Sequence, residues 1–103
     1  MITITAEGYT LKVEGHARYA PAGQDIVCAA VSSLFCTLAG GLSGYDEYFI
    51  EPPVVYAKSG FSQFQCDPKP ESVEKVDLVW RVFMAGLQTI ALQYPQNVIF
   101  LQK

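Results

Sequence analysis

The chain predicts an α+β fold, a single sheet of about five strands with two helices packed on it, in the order ββαββαβ. Three observations carry this. Short segments alternate apolar and polar residues with period two, two long segments repeat apolar residues at three- and four-residue steps, and Pro or Gly punctuates most junctions. Hairpins interleaved with helices favour helices layered on one sheet.

Ile2-Thr3-Ile4-Thr5 alternates strictly and reads as the first strand. Glu7-Gly8-Tyr9 is a turn, and Leu11-Lys12-Val13-Glu14 resumes the alternation as its hairpin partner. From Ala17 to Gln24 the pattern lapses into loop, with Pro21 and Gly23 blocking regular structure. Asp25 is a good N-cap for a helix running to about Ala39, where Gly40-Gly41 ends it. Ile26, Val27, Ala30, Val31, Leu34 and Leu38 give that helix a broad apolar surface.

Pro52-Pro53 separates this half from the next. Val54-Val55-Tyr56-Ala57 and Phe61-Ser62-Gln63-Phe64 flank Ser59-Gly60 and predict a second hairpin. Lys69-Pro70-Glu71-Ser72 opens the longest helix, which runs to roughly Gln93. Its core stripe reads Val76, Val79, Trp80, Phe83, Leu87, Ile90, Ala91 and Tyr94. Pro95 closes it, and Val98-Ile99-Phe100-Leu101 is a final strand. Leu78 and Val82 fall on the opposite side of that helix. They are either ordinary stray surface apolars or a face for a second copy.

Residues 1–103 make one domain, long enough to bury one modest core. Half of them are hydrophobic, so cross-links are unnecessary for folding. A formal net charge of −3 argues against binding to a nucleic-acid backbone. Cys28, Cys36 and Cys66 are odd in number and lack a Cys-x-x-Cys spacing, which favours a reducing cytoplasm over a disulfide framework. One histidine and no clustered carboxylates leave a zinc or other metal site without a ligand set. The run from Ile26 to Leu42 is uncharged but marginal in length for a membrane span, and its Ser, Thr and Gly content favours a buried helix. The start enters a strand pattern directly, so a signal peptide is not expected.

Two residues carry the candidate chemistry. Cys28 falls in the first turn of the Asp25-capped helix, where free N–H groups and the helix dipole favour a thiolate. Against this, most free cysteines are small apolar packing residues, as expected for Cys36 on the same helix and for Cys66, which follows a strand. His16, the only histidine, ends the second strand just before the loop that leads to Cys28. The strand end and the helix start must lie close together, so the pair can serve as nucleophile and base. Asp25 either caps the helix through the Val27 or Cys28 N–H, or orients His16 as a triad member would. Helix-start N–H groups, that of Cys28 included, are candidate oxyanion donors, with Gln24 a weaker one. Ser32, one turn after Cys28, shares its face or bonds its own backbone. The Ala17–Gln24 loop, with Tyr19, Gly23 and Gln24, reads as a cover over the site.

Gly15-His16-Ala17, Tyr19-Ala20, Gly23 and the run from Asp25 to Ser32 resemble the signature of the bacterial ribosomal-processing cysteine protease family, Prp. Gly86 to Ala91 and Tyr94-Pro95 resemble its C-terminal helix, and the length and element order fit, although Gly44 to Lys69 matches no family segment. The resemblance implies a homodimeric cysteine endopeptidase without cofactor. Its protein substrate would be the N-terminal extension of large-subunit ribosomal protein twenty-seven, cut after a hydrophobic, aromatic-rich segment. It maps the nucleophile to Cys28, the base to His16 and the flexible loop to Ala17–Gln24, and it sets Asp25 on the family's aspartate. A prophage-type relative acting on a phage protein, and a non-catalytic peptide-binding module of the same fold, are the alternatives.

Overall fold

A computed structural model describes residues 1–103. Strands β1 (Ile2–Glu7), β2 (Thr10–Gly15), β3 (Val54–Lys58), β4 (Phe61–Gln65) and β5 (Val98–Gln102) form one sheet in the order β3-β4-β2-β1-β5. Helix α1 (Ile26–Leu42) follows β2, and α2 (Val73–Gln93) follows β4. The expected ββαββαβ order and five-stranded sheet are both present. Neighbouring strands are antiparallel except β1 and β5, which run parallel, so the sheet is mixed.

Period-two alternation sets the inner face. Ile2, Ile4 and Ala6 of β1 are buried with Leu11, Phe64 and Val98, while Thr3 and Thr5 point the other way. Val27, Val31, Phe35 and Leu38 of α1 and Val76, Trp80, Met84 and Leu87 of α2 close the core from above. The two helices meet where Gly86 admits Leu34, whose Cδ1 lies 3.2 Å from the place a Cβ would occupy. The helix layer stops short of β3, every residue of which is exposed.

Three expectations need correction. Helix α1 does not end at Ala39 but continues through Gly40 and Gly41 to Leu42. Each glycine costs about 1 kcal/mol in a helix relative to alanine, and burial of Leu38, Ala39 and Leu42 outweighs it. On α2, Met84 belongs to the buried stripe, whereas Val79 is exposed, because the stripe faces α1 as well as the sheet. Cys36 lies exposed on α1, one position past the buried Phe35, and is no packing residue.

The register decides where the site forms. Ile2 pairs with Gly15 and with Val98, and Glu14 pairs with Phe61. The end of β2, the β3–β4 turn at Ser59-Gly60 and the entry to β5 therefore share one edge of the sheet. The loop after β2 returns from that edge to start α1. Gly15 is required there: its φ is +91°, and a Cβ on it would stand 2.3 Å from the Met1 carbonyl oxygen.

Candidate active site

Asp25 organises this edge. Its Oδ1 accepts the N–H groups of Val27 (3.0 Å) and Cys28 (2.9 Å), capping α1. Its Oδ2 accepts those of Tyr19 (2.9 Å) and Ala20 (3.4 Å). One carboxylate thus ties the start of the helix to the loop before it. These donors, that of Cys28 foremost, hold the Asp25 carboxyl below the usual carboxylate range, against a smaller opposing effect of desolvation. The cap expected from the sequence is present, and the alternative of a triad member is not: both oxygens serve backbone N–H groups and neither meets the imidazole.

The clamp brings Cys28 against the segment that carries His16. Ala17 is buried, and its N–H donates to Cys28 Sγ at 3.3 Å. From the other side, Asn97 Nδ2 donates to the Ala17 carbonyl at 2.9 Å across 80 positions of sequence. Ala17 is therefore fixed at both its N–H and its C=O. Arg18 follows with a left-handed backbone (φ +57°), a conformation that costs a non-glycine residue about 1–2 kcal/mol. Tied neighbours on both sides hold it there.

A cleft of about 650 Å³ opens over these residues, lined by His16, Arg18, Gly23, Asp25, Cys28 and Ser32 among others. A smaller one of about 240 Å³ runs between α1 and the β3–β4 turn. His16, Cys28, Ser32 and Ser59 line both, so the thiol and the imidazole share the junction of two connected recesses. Such an arrangement can present a thiolate and a proton acceptor to an extended chain lying across it.

The remaining expected residues divide. Gly23 lines the larger cleft, but Tyr19 and Gln24 line neither. The Tyr19 ring packs edge-on against Tyr94 at 5.4 Å, and the Gln24 N–H closes a turn onto the Pro21 carbonyl. The loop is consequently anchored over Ala17–Ala20 rather than free along its whole length. Three helix-start donors are also committed: the Val27 and Cys28 N–H groups bond the Asp25 side chain, and that of Ala29 bonds its carbonyl. The Cys28 N–H is thus not a free oxyanion donor. Ser32 lines both clefts, and its hydroxyl makes no bond to its own helix, unlike Thr37, which donates to the Ser33 carbonyl. Cys66 is buried, and burial pushes its thiol up to about 11, with Asp67 adding to the effect. Sequence reasoning missed Asn97, because a lone asparagine before a strand reads only as a turn residue.

The family model described as Cysteine protease Prp matches residues 1–99. The chain belongs to this family. Ribosomal processing cysteine protease Prp of Mycoplasma pneumoniae is 31% identical over 100 residues, covering 97% of this chain and 93% of the relative. That of Staphylococcus aureus is 27% identical over 99 residues, with 94% and 91% covered. Among solved structures, the essential ribosomal processing protease Prp from S. aureus, in complex with a covalently linked product peptide, aligns over the full length of both chains with TM-score 0.79. At 22% identity this likeness bears on the fold, and it matches the five strands and two helices seen here. SMU.848 from Streptococcus mutans aligns over 99% of this chain and 93% of its own at 25% identity, TM-score 0.70. The Prp-family chain is thus a cysteine protease, and neither of its helices is long and apolar enough to cross a membrane.

Proposed function

We propose that the 103-residue chain acts as one cytoplasmic protease domain. Its task is to remove the N-terminal extension of bacterial large-subunit ribosomal protein twenty-seven, with Cys28 as nucleophile and His16 as base. One observation carries the reading: the Ala17 N–H on Cys28 Sγ holds the thiol beside the segment that presents His16, at the junction of two clefts. Relatives named ribosomal processing cysteine proteases support the substrate class.

The chemistry is acyl transfer. His16 takes the Cys28 proton, and the thiolate attacks the scissile carbonyl, whose π electrons move onto oxygen. Collapse of that adduct expels the amine, which His16 protonates, leaving a thioester. Water, deprotonated by His16, then attacks the thioester, Cys28 leaves as thiolate, and the His16 imidazolium returns its proton to that thiolate to close the cycle. No step calls for a metal or cofactor. Asp25 positions rather than transfers protons, since its oxygens are committed to backbone donors.

The active species is a homodimer joined through the outer face of α2. Leu78 and Val82 stand one turn apart there at 67% and 60% exposure, a pairing that an isologous contact would cover.

Incubation with a peptide spanning the extension junction, read by mass spectrometry, tests the reading. Wild type yields two products, and Cys28→Ala and His16→Ala yield none. Binding without cleavage by the wild type overturns it in favour of a peptide-binding module. Sedimentation of wild type against Leu78→Asp tests the dimer, which the variant should convert to monomer.

A further inference from the structure

The clamp of Asp25 leaves His16 without a hydrogen-bonded orienting partner. The carboxylate that the sequence offered for that task is spent on four backbone donors. The one hydrogen bond at His16 involves its carbonyl oxygen, which accepts from the Met1 ammonium, and leaves the ring unconstrained. A base whose ring turns freely spends part of its time out of reach of its thiol, so some other contact must restrict it.

The β3–β4 turn supplies that contact. Gly60 has φ +81°, and the position a Cβ would take there lies 3.2 Å from His16 Nε2, 3.8 Å from Cε1 and 3.9 Å from Cδ2. The Nε2 end of the imidazole is thus seated against a backbone with no side chain. The Gly60 carbonyl accepts the Gly15 N–H at 2.9 Å, which fixes the turn relative to the residue just before His16. Ser59, next to Gly60, lines both clefts with His16 and Cys28. We propose that Gly60 is a positioning residue for the His16 base, its missing side chain and its bond to Gly15 forming the seat that sets the imidazole toward Cys28. A side chain at 60 displaces the ring by a few tenths of an ångström or rotates it away. The proposal rests on His16 being the base.

A second hairpin glycine provides a matched control. Gly8, in the β1–β2 turn at the opposite edge, also has positive φ (+58°), yet a Cβ there would meet nothing within 4 Å. Gly8→Ala and Gly60→Ala therefore impose the same kind of backbone strain, and only the second meets an imidazole. Both should lower the melting temperature. Gly60→Ala should lower kcat for the junction peptide about tenfold with little change in KM, and Gly8→Ala should stay within twofold of wild type. Gly60→Asn, which tolerates the left-handed backbone but keeps a Cβ, should repeat the loss and replaces the alanine variant should that one fail to fold.

Iodoacetamide labelling of Cys28 closes a double-mutant cycle. Gly60→Ala should slow labelling and change its pH profile in the wild-type background, with no further effect in His16→Ala. The seat is overturned if Gly60 variants cleave within twofold of wild type while His16→Ala is inactive, or if Gly60→Ala slows labelling equally with and without His16. If His16→Ala itself cleaves like wild type, the base assignment falls, and the seat with it.

Discussion

The two edges of the sheet contain the same kinds of part and put them to different ends. At the far edge, the β1–β2 turn carries Gly8 and Tyr9, whose hydroxyl donates to Asp77 Oδ1 at 2.8 Å and whose ring meets Trp80 edge-on at 5.5 Å. Arg81 pairs with the other oxygen of Asp77 at 2.6 Å. Arg81 foremost, then Tyr9, holds the Asp77 carboxyl below its ordinary range, and burial with the Asp77 bond raises the Tyr9 hydroxyl. Tyr9, Asp77 and Arg81 are thus paired with one another within the fold. At the near edge, a turn glycine, an aspartate and an aromatic ring recur, but Asp25 spends its charge on backbone donors. The imidazole and the thiol are left facing a cleft. What separates a fastening from a site is which groups the fold leaves unpaired, more than which groups it contains.

Removing the near-edge aspartate should have the largest effect. Asp25→Ala loses all four hydrogen bonds, releasing the loop and uncapping α1. Cleavage should fall about 100-fold and the melting temperature by roughly 5 °C, read by peptide assay and thermal melt. Asn97→Ala comes next. It frees the Ala17 carbonyl but leaves the Asp25 clamp, so cleavage should fall about tenfold with the overall fold retained. Equal activity of Asn97→Ala and wild type would mean that the Asp25 clamp and the Ala17 bond to Cys28 Sγ suffice to hold Ala17 in register.

The same test at the far edge should separate stability from activity. Tyr9→Phe removes the bond to Asp77 and costs about 1 kcal/mol, measured by urea unfolding, while cleavage stays within twofold of wild type. A large loss of activity there would break the contrast between the edges.

The smallest effect is a pH dependence. Asp25 titrates lower in the folded chain than in the unfolded one, so its stabilisation is complete above the unfolded carboxylate value of about 3.9. That stabilisation drains away as pH falls through the lower folded value. The protection of the Tyr19 and Ala20 amides against hydrogen exchange, corrected for the intrinsic pH dependence and followed by NMR, should fall on acidification before that of the β1 and β2 amides. Simultaneous loss at all these positions would mean that the clamp and the sheet melt as one unit.

Period-two strands and the 3.6-residue helices were legible because burial repeats at short range, and the Gly, Pro and Asp punctuation fixed most boundaries. Helix α1 overran its expected stop because Leu42 finds a buried place that only the folded core provides. That Cys28 lies against the segment carrying His16 was legible for a local reason: a strand, a loop and a capped helix start cannot lie far apart. Asn97 and Gly60 were not, since each reaches the site through a strand pairing that no local pattern records. The occupied N–H groups at the start of α1 were hidden too, because a capping residue is visible in sequence but the number of donors it satisfies is not.

The bond from Asn97 to Ala17 also sets an order in time. Ribosomes make the chain from its N-terminus, and the Asp25 clamp spans at most six positions, so it is available early. The second anchor of Ala17 waits 80 positions for Asn97 and for β5 to pair beside β1. A nascent chain therefore carries Cys28 and its capped helix start long before Ala17 gains its second anchor. The fully anchored edge is therefore a late product of synthesis, complete only when β5 pairs beside β1.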